Sequence, residues 1–205
     1  SSAPHWPPSS GPLCGNSASP DRLPRMRRLT VLAGPGGVGK GSVVAALREL
    51  EPALWVSVSW TTRRPRPGEV DGEHYVFVDE ATFAAAVAAG AFLEHAQFAG
   101  SWYGTPRAPV EAALARGPAL LEIDVQGARQ VRAAMPEALL VLLTPPSLEE
   151  LARRLAGRGT DDAARLAQRL SLAEQELAAA PEFDAVLVND DLGSAAARLL
   201  TLVHG

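Results

Sequence analysis

From Leu29 onward the chain alternates between short, continuously apolar runs and stretches where apolar residues recur every three or four positions. Leu29–Ala33, Ala119–Ile123, Leu139–Leu143 and Ala185–Val188 lack the polar alternation of a half-exposed strand and are short for buried helices. They predict strands covered on both faces. Helical spacing follows each of them: Ser42–Leu50 (Val43, Val44, Leu47, Leu50), Gln126–Ala134, Leu148–Ala156 behind the N-cap candidate Ser147, and Ser194–Val203. Such alternation predicts an α/β fold, a parallel sheet covered by helices. Between about 58 and 109 the pattern changes to strand-like His74–Val78 and Phe92–Phe98, an Ala-rich helix Ala81–Ala89 stopped by Gly90, and Pro/Gly turns. That stretch reads as an insertion over the sheet's edge. No internal repeat is visible.

Residues 1–28 have a different composition, with six Pro, six Ser and no apolar period. They cannot bury enough surface to offset their ordering entropy, so a disordered tail is expected ahead of a single domain at 29–205. No secretory apolar segment is present, and Met26 is a candidate start just before the first strand. The tail carries +3 of a net charge of −4, which leaves the domain at −7. That balance argues against a nucleic-acid binder. No run reaches the ~18 apolar residues of a membrane span. Cys14 is alone, which excludes an internal disulfide and fits a reducing, cytoplasmic setting. His5, His74, His95 and His204 are scattered without the spacing of a zinc site.

Nineteen basic residues comprise eighteen arginines and one lysine, Lys40. A lone lysine suggests a position that needs a compact ammonium in place of a planar fork. It sits in Gly34-Pro35-Gly36-Gly37-Val38-Gly39-Lys40-Gly41-Ser42, between a predicted strand and a predicted helix. In that context the Gly-x4-Gly-Lys pattern predicts a phosphate-binding loop: glycines turn the backbone N–H groups inward, the helix N-terminus adds its dipole, and Lys40 reaches the β- and γ-phosphates. The residue after Lys is Gly41, where Ser or Thr is usual as a magnesium ligand, and Ser42 follows. Gly-Lys-Gly-Ser resembles the Gly-Lys-Gly-Thr register of adenylate and UMP/CMP kinases, whose metal is held largely by water and nucleotide oxygens.

A second cluster begins at Ser57. Arg63 and Arg66, among stiffening prolines, can present paired guanidinium forks to a dianionic phosphate, and Tyr75 can add its phenol. The string Thr-Thr62-Arg63-x2-Arg66-x2-Glu69-x2-Gly72-x2-Tyr75-x-Phe77 resembles the characteristic motif of the guanylate kinase family at every fixed position. The similarity continues through Phe-Leu-Glu94, Trp-Tyr103-Gly-Thr105, Glu122-Ile-Asp124-Val-Gln-Gly, Arg-Arg154-Leu-x-Gly-Arg158-Gly-Thr, Gln-Arg169-Leu and Val-Asn189-Asp-Asp, and so covers residues 29–205.

The resemblance implies a P-loop NTPase-type core (29–57, 110–149, 176–205), a GMP-binding insertion (58–109) and a small lid (150–175). It implies ATP-dependent phosphorylation of GMP, and of dGMP, with Mg2+. Gly34 to Ser42 and Asn189 would bind ATP, with Asn189 beside the adenine. Arg63, Arg66 and Tyr75 would hold the GMP phosphate, and Ser59, Glu94, Tyr103, Thr105 and Asp124 would complete the GMP site. Lys40, Arg63, Arg154, Arg158 and Arg169 would be the catalytic cations. Ser42 and Glu122 would lie at the metal, with Glu122 toward the phosphates. A carboxylate only accepts hydrogen bonds, so Glu94 suits the N1 and N2 donors of guanine, while a hydroxyl from Ser59 or Thr105 can serve O6. Two rivals remain. One is a non-catalytic guanylate-kinase-like module that binds protein partners, toward which Gly36 (Ser is usual) and Gly41 point. The other is a related kinase for a different small phosphate.

Overall fold

The computed structural model describes residues 29–98, 100–157 and 163–205. The predicted tail with Met26, Arg158 and the Asp161–Asp162 pair lie outside the described residues.

Strand β1 (Leu29–Ala33) is the physical centre. Its five residues are all buried, and they divide between two cores: Leu32 faces one side of the sheet, Leu29, Val31 and Ala33 the other. Both faces are covered, which is why the sequence shows an apolar run without polar alternation. Gly39 caps helix α1 (Lys40–Leu50), which begins two residues earlier than its apolar spacing suggests and so takes Lys40 and Ser42 into its first turn. The chain then forms β2 (Trp55–Val56), β3 (Trp60–Thr61), β4 (Val76–Phe77), α2 (Glu80–Ala88), β5 (Phe92–Phe98), β6 (Ser101–Pro106) and α3 (Arg107–Leu114). It returns through β7 (Ala119–Glu122), α4 (Val125–Ala134), β8 (Leu139–Thr144), α5 (Leu148–Ala156), α6 (Ala163–Ala178), β9 (Ala185–Val188) and α7 (Leu192–His204).

The main sheet has the order β2-β7-β1-β8-β9, and every pairing in it is parallel. Helices α1 and α7 cover one face through Val43, Val44, Leu47, Ala195, Leu199 and Val203. Helices α3 and α4 cover the other through Val110, Ala113, Ala128 and Val131. Each fully buried Leu or Val of these clusters contributes about 1.5–3 kcal/mol. Connections leave β1 toward β2 on one side and reach β8 on the other. The carboxyl end of β1 is therefore the crevice where such sheets bind ligands.

The insertion forms its own sheet, β4-β3-β6-β5. The expected strand His74–Val78 shrinks to two residues because the segment before it turns: Val70 N donates to His74 Nδ1 and Phe77 N to Asp71 Oδ1. Helix α2 starts behind Asp79, whose side chain accepts from Thr82 N at 2.7 Å. On the outer face Phe83 stacks on Phe92 (4.6 Å) and Trp102 (5.9 Å), and Trp60 meets Phe92 edge-on, which fixes α2 to the sheet. Gln130 of α4 ties this unit to the core. Its amide accepts from His95 N and donates to His95 O, and so pairs the open edge of β5. No helix among the described residues is long and apolar enough to cross a membrane.

Candidate active site: a phosphate loop facing paired carboxylates

The loop after β1 is held by contacts that require bare backbone. A Cβ on Gly34 would collide with the Leu143 carbonyl oxygen of the neighbouring strand. Gly39 has φ 98° and a Cβ there would meet Asn189 Nδ2 at 2.6 Å. Asn189 is 6% exposed and donates to Val38 O at 2.8 Å. Arg154 reaches the same carbonyl at 3.2 Å, and also donates to Asn189 O and to Glu150. Sequence reasoning expected Asn189 beside an adenine and Arg154 among the reacting phosphates. In the structure both side chains donate to the Val38 carbonyl of the loop, because its carbonyls need partners once the N–H groups turn inward. Lys40 lies along the loop, its ammonium donating to Gly34 O at 2.6 Å and Pro35 O at 3.4 Å.

Across from the loop, the geometry of β5 does most of the positioning. Phe92 pairs with Pro106 and Glu94 with Thr105, so β5 carries one extra residue, a bulge at Leu93. The bulge sends Leu93 into the main core and turns Glu94, Ala96 and Phe98 to one wall of a cavity. Thr105 Oγ1 donates to Glu94 Oε1 at 2.6 Å. Its single proton is spent there, so in the 3.4 Å contact between the two hydroxyls Ser59 is the donor. Ser59, which lines the cavity, is thus the hydroxyl left to serve a ligand, and Thr105, fully buried, is its support.

Asp124 caps α4 by accepting from Gly127 N at 2.7 Å. Gly127 is the residue that lets the two acids converge: a Cβ there would lie 2.7 Å from Glu94 Oε2 and 3.3 Å from Asp124 Oδ1. Burial, with Asp124 adding its negative charge against the pull of the Thr105 hydrogen bond, pushes Glu94 up to about 7. Burial also raises Glu122, opposed by Lys40 and Arg48.

The third wall is cationic. Glu69 takes Arg63 in a two-pronged pair, both N···O distances 2.8 Å, and accepts from Arg66 N at 2.7 Å. The Arg63 guanidinium lies over the rings of Tyr75 (5.3 Å) and Phe77 (5.7 Å). Hydrogen bonding to Arg63 holds the Glu69 carboxyl down at about 2, well below the usual carboxylate range. Tyr103 meets Tyr75 edge-on at 6.0 Å, and burial raises the Tyr75 phenol above its ordinary value.

These three walls enclose one cavity of about 340 Å³, within the range of small-ligand sites. Gly34, Gly36, Gly37, Lys40 and Glu122 line one end; Ser59, Glu94, Tyr103 and Asp124 line the other; Arg63, Arg66 and Tyr75 lie along it, and Arg169 reaches in from α6. Pro35, Val38, Gly39, Gly41, Ser42, Thr105, Asn189 and Arg154 do not line it, and Arg158 lies outside the described residues. Five lining residues were not anticipated from sequence: Ala96, Phe98, Ile123, Leu172 and Glu176. For Glu176 a signal existed, since it stands seven residues after Arg169 and shares its helix face.

Comparison with known proteins settles the lineage of this arrangement. A family model described as guanylate kinase matches residues 26–204. The chain belongs to the guanylate kinase family. It is 61% identical over 178 residues to the guanylate kinase of Frankia casuarinae, covering 86% of this chain and 97% of that one. Identity to the guanylate kinase of Streptomyces coelicolor is 55% over 186 residues, with 90% and 93% covered. Among solved structures, the crystal structure of guanylate kinase from Anaplasma phagocytophilum superposes with a TM-score of 0.71 at 33% identity, covering 86% of this chain and 84% of that one. Membership makes the chain a nucleotide-binding phosphotransferase on an α/β fold. The insertion and the loop-bearing sheet are thus two parts of one guanylate kinase family domain.

Proposed function

We propose that this guanylate kinase family member transfers the γ-phosphoryl group of ATP to GMP, and to dGMP, giving ADP and the nucleoside diphosphate. A GMP phosphate oxygen attacks the γ-phosphorus; the new P–O bond forms as the bond to the β-phosphate oxygen breaks, and the electron pair leaves on ADP. The observation that carries this reading is the single cavity lined at one end by Lys40 and the loop and at the other by Glu94 and Asp124.

Phosphoryl transfer leaves a protein positioning and charge neutralisation to do. Loop N–H groups and Lys40 hold the donor phosphates. Arg63, Arg66 and Tyr75 hold the acceptor phosphate, with Glu69 fixing the Arg63 fork. Glu94 and Asp124 accept from guanine N1 and N2, and Ser59 turns its one proton from the long 3.4 Å contact with Thr105 to guanine O6. Arg169 offsets charge as it spreads over the moving group. Arg154 acts through the loop it braces, and the family resemblance makes Arg158 a further catalytic cation. In this scheme residues 58–109 are the acceptor-binding insertion and 150–175 the lid.

Kinase chemistry calls for a divalent cation, and we take it to be Mg2+. The residues fit it in part. Glu122 faces the open side of Gly41, whose Cβ position lies 3.6 Å from Glu122 Oε1, and with Ser42 offers hard oxygen donors. No group of three or more His, Cys, Asp or Glu among the described residues could cage a metal. The remaining ligands would be nucleotide oxygens and water. Bound there, the ion would neutralise charge between the β- and γ-phosphates. A cytoplasmic location, where ATP and GMP are available, belongs to the same proposal.

An ADP-release assay offering GMP, dGMP, AMP, CMP and UMP, with magnesium titrated, tests the scheme. Turnover with the two guanine nucleotides supports it. Equal turnover with AMP overturns the acceptor assignment, and no turnover with any of them leaves a protein-binding module.

A further inference from the structure

Positions 169, 172 and 176 of α6 are spaced three, four and seven apart and so share one face, and all three line the cavity. The helix is anchored at opposite ends of the site. From its middle, Arg169 Nη2 lies 3.9 Å from the Cβ position of Gly36 in the phosphate loop. Just past its end, Ala179 packs in one buried cluster with Val125, the first residue of α4 and the neighbour of Asp124. Seven residues of helix advance ~10 Å. Glu176 is therefore set between the phosphate loop and the acids at the base end. It is half-buried, and its carboxyl is raised by burial while Lys40 and Asp124 act on it in opposite senses, as such an intermediate position requires.

A nucleoside monophosphate is built in the order phosphate, ribose, base. Arg63, Arg66 and Tyr75 serve its phosphate and Glu94 and Asp124 its base, which leaves the ribose facing the wall between them. A carboxylate accepts hydrogen bonds only, and ribose hydroxyls are the donors that the middle of the ligand offers. We propose that Glu176 is a specificity residue of the acceptor site that accepts a hydrogen bond from a ribose hydroxyl of GMP. The inference rests on the acceptor reading given under Proposed function.

The test compares kcat/KM for GMP, 2′-deoxy-GMP and 3′-deoxy-GMP in the wild type, Glu176→Ala and Glu176→Gln. In Glu176→Ala the preference for GMP over at least one deoxy analogue falls about tenfold, the scale of one lost hydrogen bond to a charged group. Glu176→Gln, whose carbonyl still accepts, keeps part of that preference. Unchanged ratios for both analogues overturn the inference, whether activity drops equally on all three acceptors, as it would if Glu176 served only to place Lys40 or α6, or on none. If the alanine variant does not fold, the glutamine variant decides by the same ratios, an unreduced preference being the contrary result. Failure of the acceptor reading itself is distinct: the wild type would then show no preference for GMP over AMP.

Discussion

In the proposed scheme the donor loop and the acceptor insertion would hold their ligands by different physical means. The loop hangs on β1 and β8, strands buried almost throughout, and its shape is enforced by close backbone approaches at Gly34 and Gly39 and by the Asn189 and Arg154 hydrogen bonds beneath it. The insertion has strands of two to seven residues, and its binding groups are side chains fixed by a few charged or hydroxyl hydrogen bonds: Glu69 on Arg63, Thr105 on Glu94, Gly127 N on Asp124. Main-chain geometry suits phosphates, which every nucleotide carries. Side-chain acceptors suit a base, which must be told from its competitors. Damage to the first region should cost turnover and stability, and damage to the second should cost recognition.

The largest effect expected is on the donor side. Lys40→Ala should lower kcat by about 10³-fold, since its charge matters most as the γ-phosphoryl moves, while calorimetric affinity for GMP changes little. A variant with near-normal turnover removes Lys40 from the mechanism. Next, Gly39→Ala combines a left-handed backbone with a clash against Asn189 and should destabilise the fold by about 3 kcal/mol, read as a lowered Tm. Adding Asn189→Ala relieves the clash but not the strain, so only part of the loss returns. Full recovery would mean that the backbone conformation is not enforced.

On the acceptor side, Glu94→Gln should reduce the preference for GMP over AMP by about 100-fold, because an amide turned to accept from one guanine donor presents its own N–H groups to the other. Its stability effect has the opposite sign. The Glu94 carboxyl is raised from 4.5 to about 7 in the fold, so its contribution is most favourable below the unfolded value and is lost as pH rises through the folded one. Ionising it in place costs about 3 kcal/mol. Glu94→Gln should therefore melt several degrees higher than wild type at pH 8 and at about the same temperature at pH 4, and a lower Tm at pH 8 would contradict the buried-acid account. The smallest effect is that of Glu69→Gln, which loosens the Arg63 fork. The KM for GMP should rise about tenfold, with kcat nearly unchanged and Tm modestly lowered by loss of the ion pair; a fall in Tm without a change in KM would make Glu69 a structural residue only.

The same contrast governs what could be read from the sequence. Buried parallel strands announce themselves as apolar runs, and the Gly-rich turn after Leu29–Ala33 placed the loop, because both depend on local pattern. Two-residue strands such as Trp55–Val56 and Trp60–Thr61 have too few positions to show a period and form only because neighbours pair with them. The motif residues Ser59, Arg63, Arg66, Tyr75, Glu94 and Asp124 do line one cavity. Which face a side chain turns was not legible. The bulge at Leu93 aims Glu94, the proton of Thr105 is already committed, and Asn189 and Arg154 both donate to the Val38 carbonyl. Gly127, present in the sequence only as the unexplained last position of a motif, works by having no side chain beside two carboxylates. These are tertiary facts, set by which elements meet.

The most direct measurement is calorimetric titration of the wild-type protein with GMP and with AMP near pH 7, in two buffers of different ionisation enthalpy. An ionised carboxylate must form at Glu94 to receive the guanine donors, so GMP binding should release protons, weaken as pH falls below about 7, and far exceed AMP binding. Equal affinity for the two nucleotides with no buffer dependence would contradict the account.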